Sequence, residues 1–174
     1  MENKGDSIVV TDETAAQGTR SLKITDAAGL THSYNPHYVY NKCNYGEGVV
    51  RATFGLRVEK STRMNHEWRD WSASPYRTGP RFEVRDGKLS VPGEEPMTLP
   101  VGEWVRVEIA TGVGSKNTGK WSLTVTLPGQ APRAFDDLPH VSGAFKKLNW
   151  VGFVSDATAA TKFYLDDIKL TNAP

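Results

Sequence analysis

From Val50 to Glu59 apolar and polar positions alternate: Val50, Ala52, Phe54, Leu56 and Val58 share one parity, and Arg51, Thr53, Arg57 and Glu59 the other. A period of two sustained over that length predicts a half-buried β-strand and leaves no room for a helical stripe. Ser7 to Val10 reads as a shorter strand, and Arg20 to Asp26 sets Leu22 and Ile24 on one face. Arg81 to Arg85 and Lys88 to Val91 flank Asp86-Gly87, a pair suited to a hairpin turn with positive φ at both central residues. Trp104 to Ala110 turns Val105, Val107 and Ile109 inward, and Trp121 to Leu127 does the same with Trp121, Leu123, Val125 and Leu127. With the Gly-rich loop between them, these form a second hairpin. Arg133 to Leu138 is a weaker strand. Leu148 to Val154 is apolar on both parities, which predicts a strand inside a sheet.

The last pattern, Lys162 to Thr171, changes phase. Phe163 and Leu165 alternate with polar neighbours, as do Ile168 and Leu170, but the two pairs fall on opposite parities. A β-bulge near Asp166 and Asp167 would bring all four to one core. Tyr34 to Tyr45 reads as a half-exposed segment, Lys60 to Pro80 as a long aromatic loop, Pro92 to Pro100 as a polar connection and His140 to Lys147 as irregular. Roughly ten strand candidates at about 8 to 15 residue spacing, with no helical stripe, predict an all-β, two-sheet antiparallel sandwich with little or no helix. Residues 1–174 are expected to form a single domain.

Charge and cysteine content narrow the chemistry. Lys and Arg total 21 against 20 Asp and Glu, a balance that excludes recognition of nucleic acid by bulk charge. No apolar run approaches the roughly 20 residues of a membrane span, so membrane insertion is not expected. Cys43 is the single cysteine, which leaves no intrachain disulfide, zinc cluster or redox pair. Met1 to Asp6 is polar and shows no signal-peptide pattern.

The aromatic loop carries the sharpest chemical signal. A pyranose stacks its C–H face on a flat ring while its hydroxyls bond to nearby polar groups. Trp68, Trp71 and Tyr76 with Arg69 and Arg77 supply both, and Tyr38 and Tyr40 are candidate helpers. Trp104, Trp121 and Trp150 lie in or beside strands and are assigned to the core. Guanidinium forks at Arg63, Arg69, Arg77, Arg81 and Arg85 match carboxylate or sulfate groups, which suggests acidic glycans. His32, His37, His66 and His140 are read as surface or turn residues. A hydrolase would need two facing carboxylates, which no motif provides. A lyase would need a base such as His66, His37 or Tyr76 beside an arginine.

Gly18-Thr19-Arg20-Ser21-Leu22-Lys23-Ile24, Gly102-Glu103-Trp104-Val105-Arg106-Val107-Glu108-Ile109, Trp150-Val151-Gly152-Phe153 and Phe163-Tyr164-Leu165-Asp166-Asp167-Ile168 resemble the concanavalin A-like, or laminin-G-like, jelly rolls and the carbohydrate-binding modules of bacterial extracellular proteins. The resemblance implies a jelly roll whose last strand pairs with the N-terminal strand, an extracellular or periplasmic location, and a structural Ca²⁺ held by Asp166 or Asp167 with Glu13 or Asp26. It implies a monomeric module binding polysaccharide or oligosaccharide without catalysis. A polysaccharide lyase or glycoside hydrolase on the same fold, and a protein-binding adhesion or structural domain, are the alternatives.

Overall fold

The structure, a computed structural model, describes residues 1–173 and consists of two packed antiparallel sheets. Thirteen strands run in chain order: β1 (Ser7–Thr11), β2 (Ser21–Asp26), β3 (His37–Tyr40), β4 (Gly48–Val58), β5 (Arg63–Asp70), β6 (Arg77–Arg85), β7 (Lys88–Ser90), β8 (Met97–Thr98), β9 (Trp104–Val113), β10 (Lys120–Thr126), β11 (Arg133–Pro139), β12 (Trp150–Ser155) and β13 (Thr161–Ala173). A single 3₁₀ turn, Gly114–Lys116, is the only helical piece among the described residues. One sheet has seven strands in the order β1-β2-β13-β4-β9-β10-β11, and the other six in the order β3-β12-β5-β6-β7-β8.

The alternation in β4 holds throughout, with Val50, Ala52, Phe54, Leu56 and Val58 all buried. They meet Val105, Val107 and Ile109 of β9 on their own sheet and Met64, Phe82 and Phe153 from the facing one. Asp86 and Gly87 close the β6–β7 hairpin at φ of 51° and 77°. β12 lies between β3 and β5, the interior position its continuous apolar run requires.

The phase change in β13 is a bulge. Asp166 pairs with Gly55 and the next pair is Lys169 with Thr53, so two residues of β13 stand opposite Phe54. Asp167 takes a φ of 46° there. The Asp166 carboxylate accepts backbone N–H groups from Ala16 at 2.7 Å, Gln17 at 3.0 Å and Asp167 at 2.8 Å, which ties the N-terminal loop to the bulge. β13 pairs with β2 as far as Leu165 and beyond that with β4 alone. The expected partner, the N-terminal strand β1, lies one place further out, against β2.

Two other expectations change. Residues 60–80 are not a long loop: β5 and the start of β6 occupy most of them, leaving a turn at residues 60–62 and an irregular stretch at 71–76. The alternation was present in β5 but carried by Met64, His66 and Trp68, where an inward histidine disguises the apolar face. His66 is fully buried against Phe54, Phe82 and Phe153, and His140 is buried against Phe145 with its Nε2 2.8 Å from the Thr111 hydroxyl. Neither is a surface residue.

Burial holds the His66 imidazole down to about 3 and that of His140 to about 4, against 6.5 in the unfolded chain. Both rings are therefore neutral in the fold, and the unfolded chain binds the extra protons. Stability from this source is complete above about pH 6.5 and is lost as pH falls toward the folded values. Denaturant midpoints should accordingly drop between pH 7 and pH 4, and His140→Gln, which keeps a partner for Thr111, should flatten part of the decline. An unchanged decline in that variant would remove His140 as a source.

Candidate functional site

The outer face of the six-stranded sheet takes its character from β5. With Met64, His66 and Trp68 turned inward, Asn65, Glu67 and Arg69 face out. Register extends this into rows across the sheet: Trp150 beside Arg69, then Gly152, Glu67 and Arg81, then Val154, Asn65 and Glu83. A bulge opposite Trp68 shifts the next β5–β6 pair to Arg69 with Thr78, at the start of the short loop 71–76.

That loop is held at both ends. Asp70, almost fully buried, accepts the Ser72 backbone N–H at 2.9 Å and the Ser72 hydroxyl, and faces the Arg77 guanidinium at 3.6 Å. The Trp71 backbone N–H donates to the Asn149 side chain at 2.8 Å. Trp71 is thereby lifted out of the core, 52% exposed, and stacks on Tyr76 with ring centroids 4.8 Å apart. Beneath Tyr76 the Arg69 guanidinium lies 4.2 Å from its ring and 4.0 Å from that of Trp150. Trp71, Tyr76, Arg69 and Trp150 form one continuous stack, with Glu67 fixing the guanidinium through Nε at 2.8 Å. Trp150 rests flat over Gly152.

The stack borders a cleft of about 440 Å³ completed by Tyr34, His37 and Val154. His37 Nδ1 lies 3.1 Å from the Tyr34 carbonyl and 3.0 Å from the Asn35 side-chain oxygen. Both partners accept, so Nδ1 carries the proton and Nε2 of the neutral ring keeps its lone pair. Beyond the cleft most charges are matched, and Arg63 at the start of β5 is exposed without an ion pair among the described residues. Arg81 meets Glu67 and Glu83, Arg85 meets Glu83 at 3.3 Å and Asp156 at 2.6 Å, and Asn65 Oδ1 accepts from both arginines.

Of the predicted ligand residues, the structure brings Trp71, Tyr76 and Arg69 together, while Arg77 faces Asp70 and does not line the cleft. Trp68 departs from the expectation: it is fully buried, its indole N–H donating to His66 Nε2 at 2.9 Å. Tyr38 and Tyr40 pair with Phe153 and Val151 and lie on the inner side of β3, away from the cleft. Trp150 belongs to the outer face rather than the core, and Trp104 is half-buried, bonded to Thr14; only Trp121 of the three is a core residue. Tyr34 and His37 were not singled out as ligand residues, although their place in an aromatic, polar segment was a usable signal.

The four carboxylates assigned to Ca²⁺ do not converge. Asp166 is taken up by backbone amides. Asp167 faces Lys169 at 3.0 Å and Arg106 at 3.6 Å, which hold its carboxyl below the usual range. Glu13 is held low by Lys23 and by the Tyr164 hydroxyl, which donates to it at 2.8 Å. Burial pushes Asp26 up, and it accepts from the Ser155 hydroxyl and the backbone of Ala27 and Ala157. Among the described residues no group of three His, Cys, Asp or Glu is placed to hold a metal ion, so this set does not fit the several hard oxygens that calcium requires.

The sequence matches no protein-family model and no curated protein. Solved structures do share the architecture. An endo-β-1,4-glucuronan lyase from the fungus Trichoderma reesei superposes with a TM-score of 0.67 at 9% identity, covering 99% of this chain and 90% of its own. The cellulose-induced protein Cip1 gives 0.63 at 15% identity over 98% and 88%. A carbohydrate esterase from Shiga toxin-encoding bacteriophage phi24B gives 0.55 at 15% identity over 98% and 89%. The fold is a concanavalin A-like sandwich.

A Cβ at position 152 would stand 2.0 to 2.8 Å from the six-membered ring of Trp150. Since that ring is the free end of a side chain, Gly152→Ala should fold normally but push Trp150 off the sheet and away from Arg69. Near-UV circular dichroism should report the change. An unaltered aromatic spectrum would show that the indole does not lie on the glycine.

Proposed function

We propose that the outer face of the six-stranded sheet binds polysaccharide, with sugar rings stacking on the exposed face of Trp71 and on the aromatic wall of the adjoining cleft. The observation that carries this reading is the Trp71–Tyr76–Arg69–Trp150 stack: flat aromatic surface held open to solvent and interleaved with hydrogen-bond donors. The shared fold with proteins described as a glucuronan lyase and a carbohydrate esterase supports the carbohydrate class. A polymeric ligand of this kind goes with an extracellular or periplasmic location. No helix among the described residues is long and apolar enough to cross a membrane.

Charge pairing bears on selectivity. Arg69, Arg81 and Arg85 each face a carboxylate on the same surface, so a uronate finds no unmatched guanidinium among them. Neutral glycans should bind at least as well as acidic ones. A second reading, lyase activity, is favoured by one observation: His37, with Nε2 able to accept a proton, lines the same cleft as Arg69.

A panel of neutral and acidic polysaccharides, with ultraviolet detection of unsaturated chain ends, tests both. Trp71→Ala should weaken binding at least about ten-fold with an unchanged denaturation midpoint, because the ring is exposed. Absence of glycan binding by the unaltered protein, or full binding by the variant, would overturn the assignment. Release of unsaturated ends that His37→Ala abolishes would move the function from binding to elimination.

A further inference from the structure

The six-stranded sheet carries a second hollow, across the charged rows from the aromatic stack. β7 ends at Ser90, and Pro92, which has no N–H, cannot extend its ladder with β6. Further along β6 the segment that follows β11 takes up the edge, the backbone N–H groups of Val141 and Ser142 donating to the carbonyls of Gly79 at 3.2 Å and Thr78 at 2.7 Å. The gap left between the two is a cleft of about 380 Å³ beside Arg81 and Glu83. Val91, Pro92 and Val141 give it an apolar wall, while Arg81, Glu83 and Ser90 supply polar groups. Val141 is 54% exposed. An apolar hollow with a few polar groups at its border has the makeup of a small-molecule subsite.

The two clefts share a cross-strand row. Val154 lines the first; Asn65, Glu83 and Ser90 follow it across the sheet, and the last two line the second. From β12 to β7 is three strand spacings, roughly 14 Å, more than one pyranose ring covers. Asn65 is buried between them, and its Oδ1 accepts from Arg81 at 3.1 Å and from Arg85 at 3.2 Å. Both guanidiniums are thereby drawn onto the sheet beside the row.

We propose, resting on the reading of Trp71 and its cleft as a sugar site, that the second cleft is a further subsite for the same chain, so that the bound polysaccharide runs across the strands from the aromatic stack to Val141. The C–H face of a pyranose lies on Pro92 and Val141, and its hydroxyls meet Arg81, Glu83 and Ser90. Without an exposed ring to stack on, this subsite is the weaker of the two. Its contribution comes through the chain: a polymer held at Trp71 presents its later rings to Val141 at high effective concentration. What the face recognises is therefore length as well as sugar.

The test is titration of the full chain with cellobiose, cellohexaose and the di- and hexasaccharides of β-1,4-glucuronan, followed by calorimetry and by chemical shifts. A hexasaccharide should bind at least about ten-fold more tightly than its disaccharide. It alone should shift Ser90 and Val141, while both lengths shift Trp71 and Tyr76. Val141→Glu, a change at an exposed position, sets a charged side chain in the second cleft and should bring the hexasaccharide down to the affinity of the disaccharide. Equal affinity for the two lengths, shifts confined to the first cleft, or an unaltered hexasaccharide affinity in Val141→Glu would overturn the second subsite and leave the first in place. Failure of every oligosaccharide to bind, with no shift at Trp71, would remove both.

Discussion

The register of β13 is the constraint on which the rest of the sandwich depends. This strand lies between β2 and β4 and carries Phe163 and Leu165 into the core, yet its far half runs on the opposite parity. One extra residue reconciles the halves, and Asp166 holds it there by gathering amides from its own strand and from the N-terminal loop. A carboxylate that accepts several backbone N–H groups is satisfied without a cation, which accounts for the local use of an acid where the family resemblance suggested a metal ligand. The bulge also marks where β2 parts company with β13, so that beyond it β13 pairs with β4 alone.

The two faces of β5 divide the protein's chemistry. Inward, His66 and Trp68 form a buried polar pair inside a cluster of phenylalanines, where burial keeps the imidazole neutral. Outward, Glu67 and Arg69 begin a surface on which each side chain is fixed by the next. Arg69 illustrates the economy of this arrangement: its plane is set by two aromatic rings and its rotation by Glu67. Such side chains lose little freedom when a ligand arrives, so the cost of ordering has been met during folding.

The sheets were legible in the sequence wherever alternation was strict. β4, β9, β10, the Asp86-Gly87 hairpin and the bulge all follow from parity and turn chemistry. Trp68 and Trp71 show where that reading stops. Three residues apart in one aromatic stretch, they look equivalent by composition, but the unbroken two-residue period from Met64 carries Trp68 inward while Asp70 and Asn149 hold Trp71 out. Trp150 was obscured by its apolar neighbours, and what settles its place is Gly152 two residues on, which leaves a flat berth for the indole. Tyr38 and Tyr40 were rightly marked as half-exposed aromatics; which side of β3 they occupy depends on pairing with β12, a contact more than 100 residues distant.

Glu67 is shared. It orients Arg69 on its own strand and faces Arg81 on the next, so a single carboxylate restrains two guanidiniums. Any substitution that removes this negative charge leaves Arg69 without its carboxylate, while Arg81 keeps Glu83 and Asn65, and moves the charge of the face one unit toward the cationic with the aromatic stack still in place. The surface thus stands, in evolutionary terms, one residue away from a different charge balance, and related chains that differ at this position are where such a divergence should be sought.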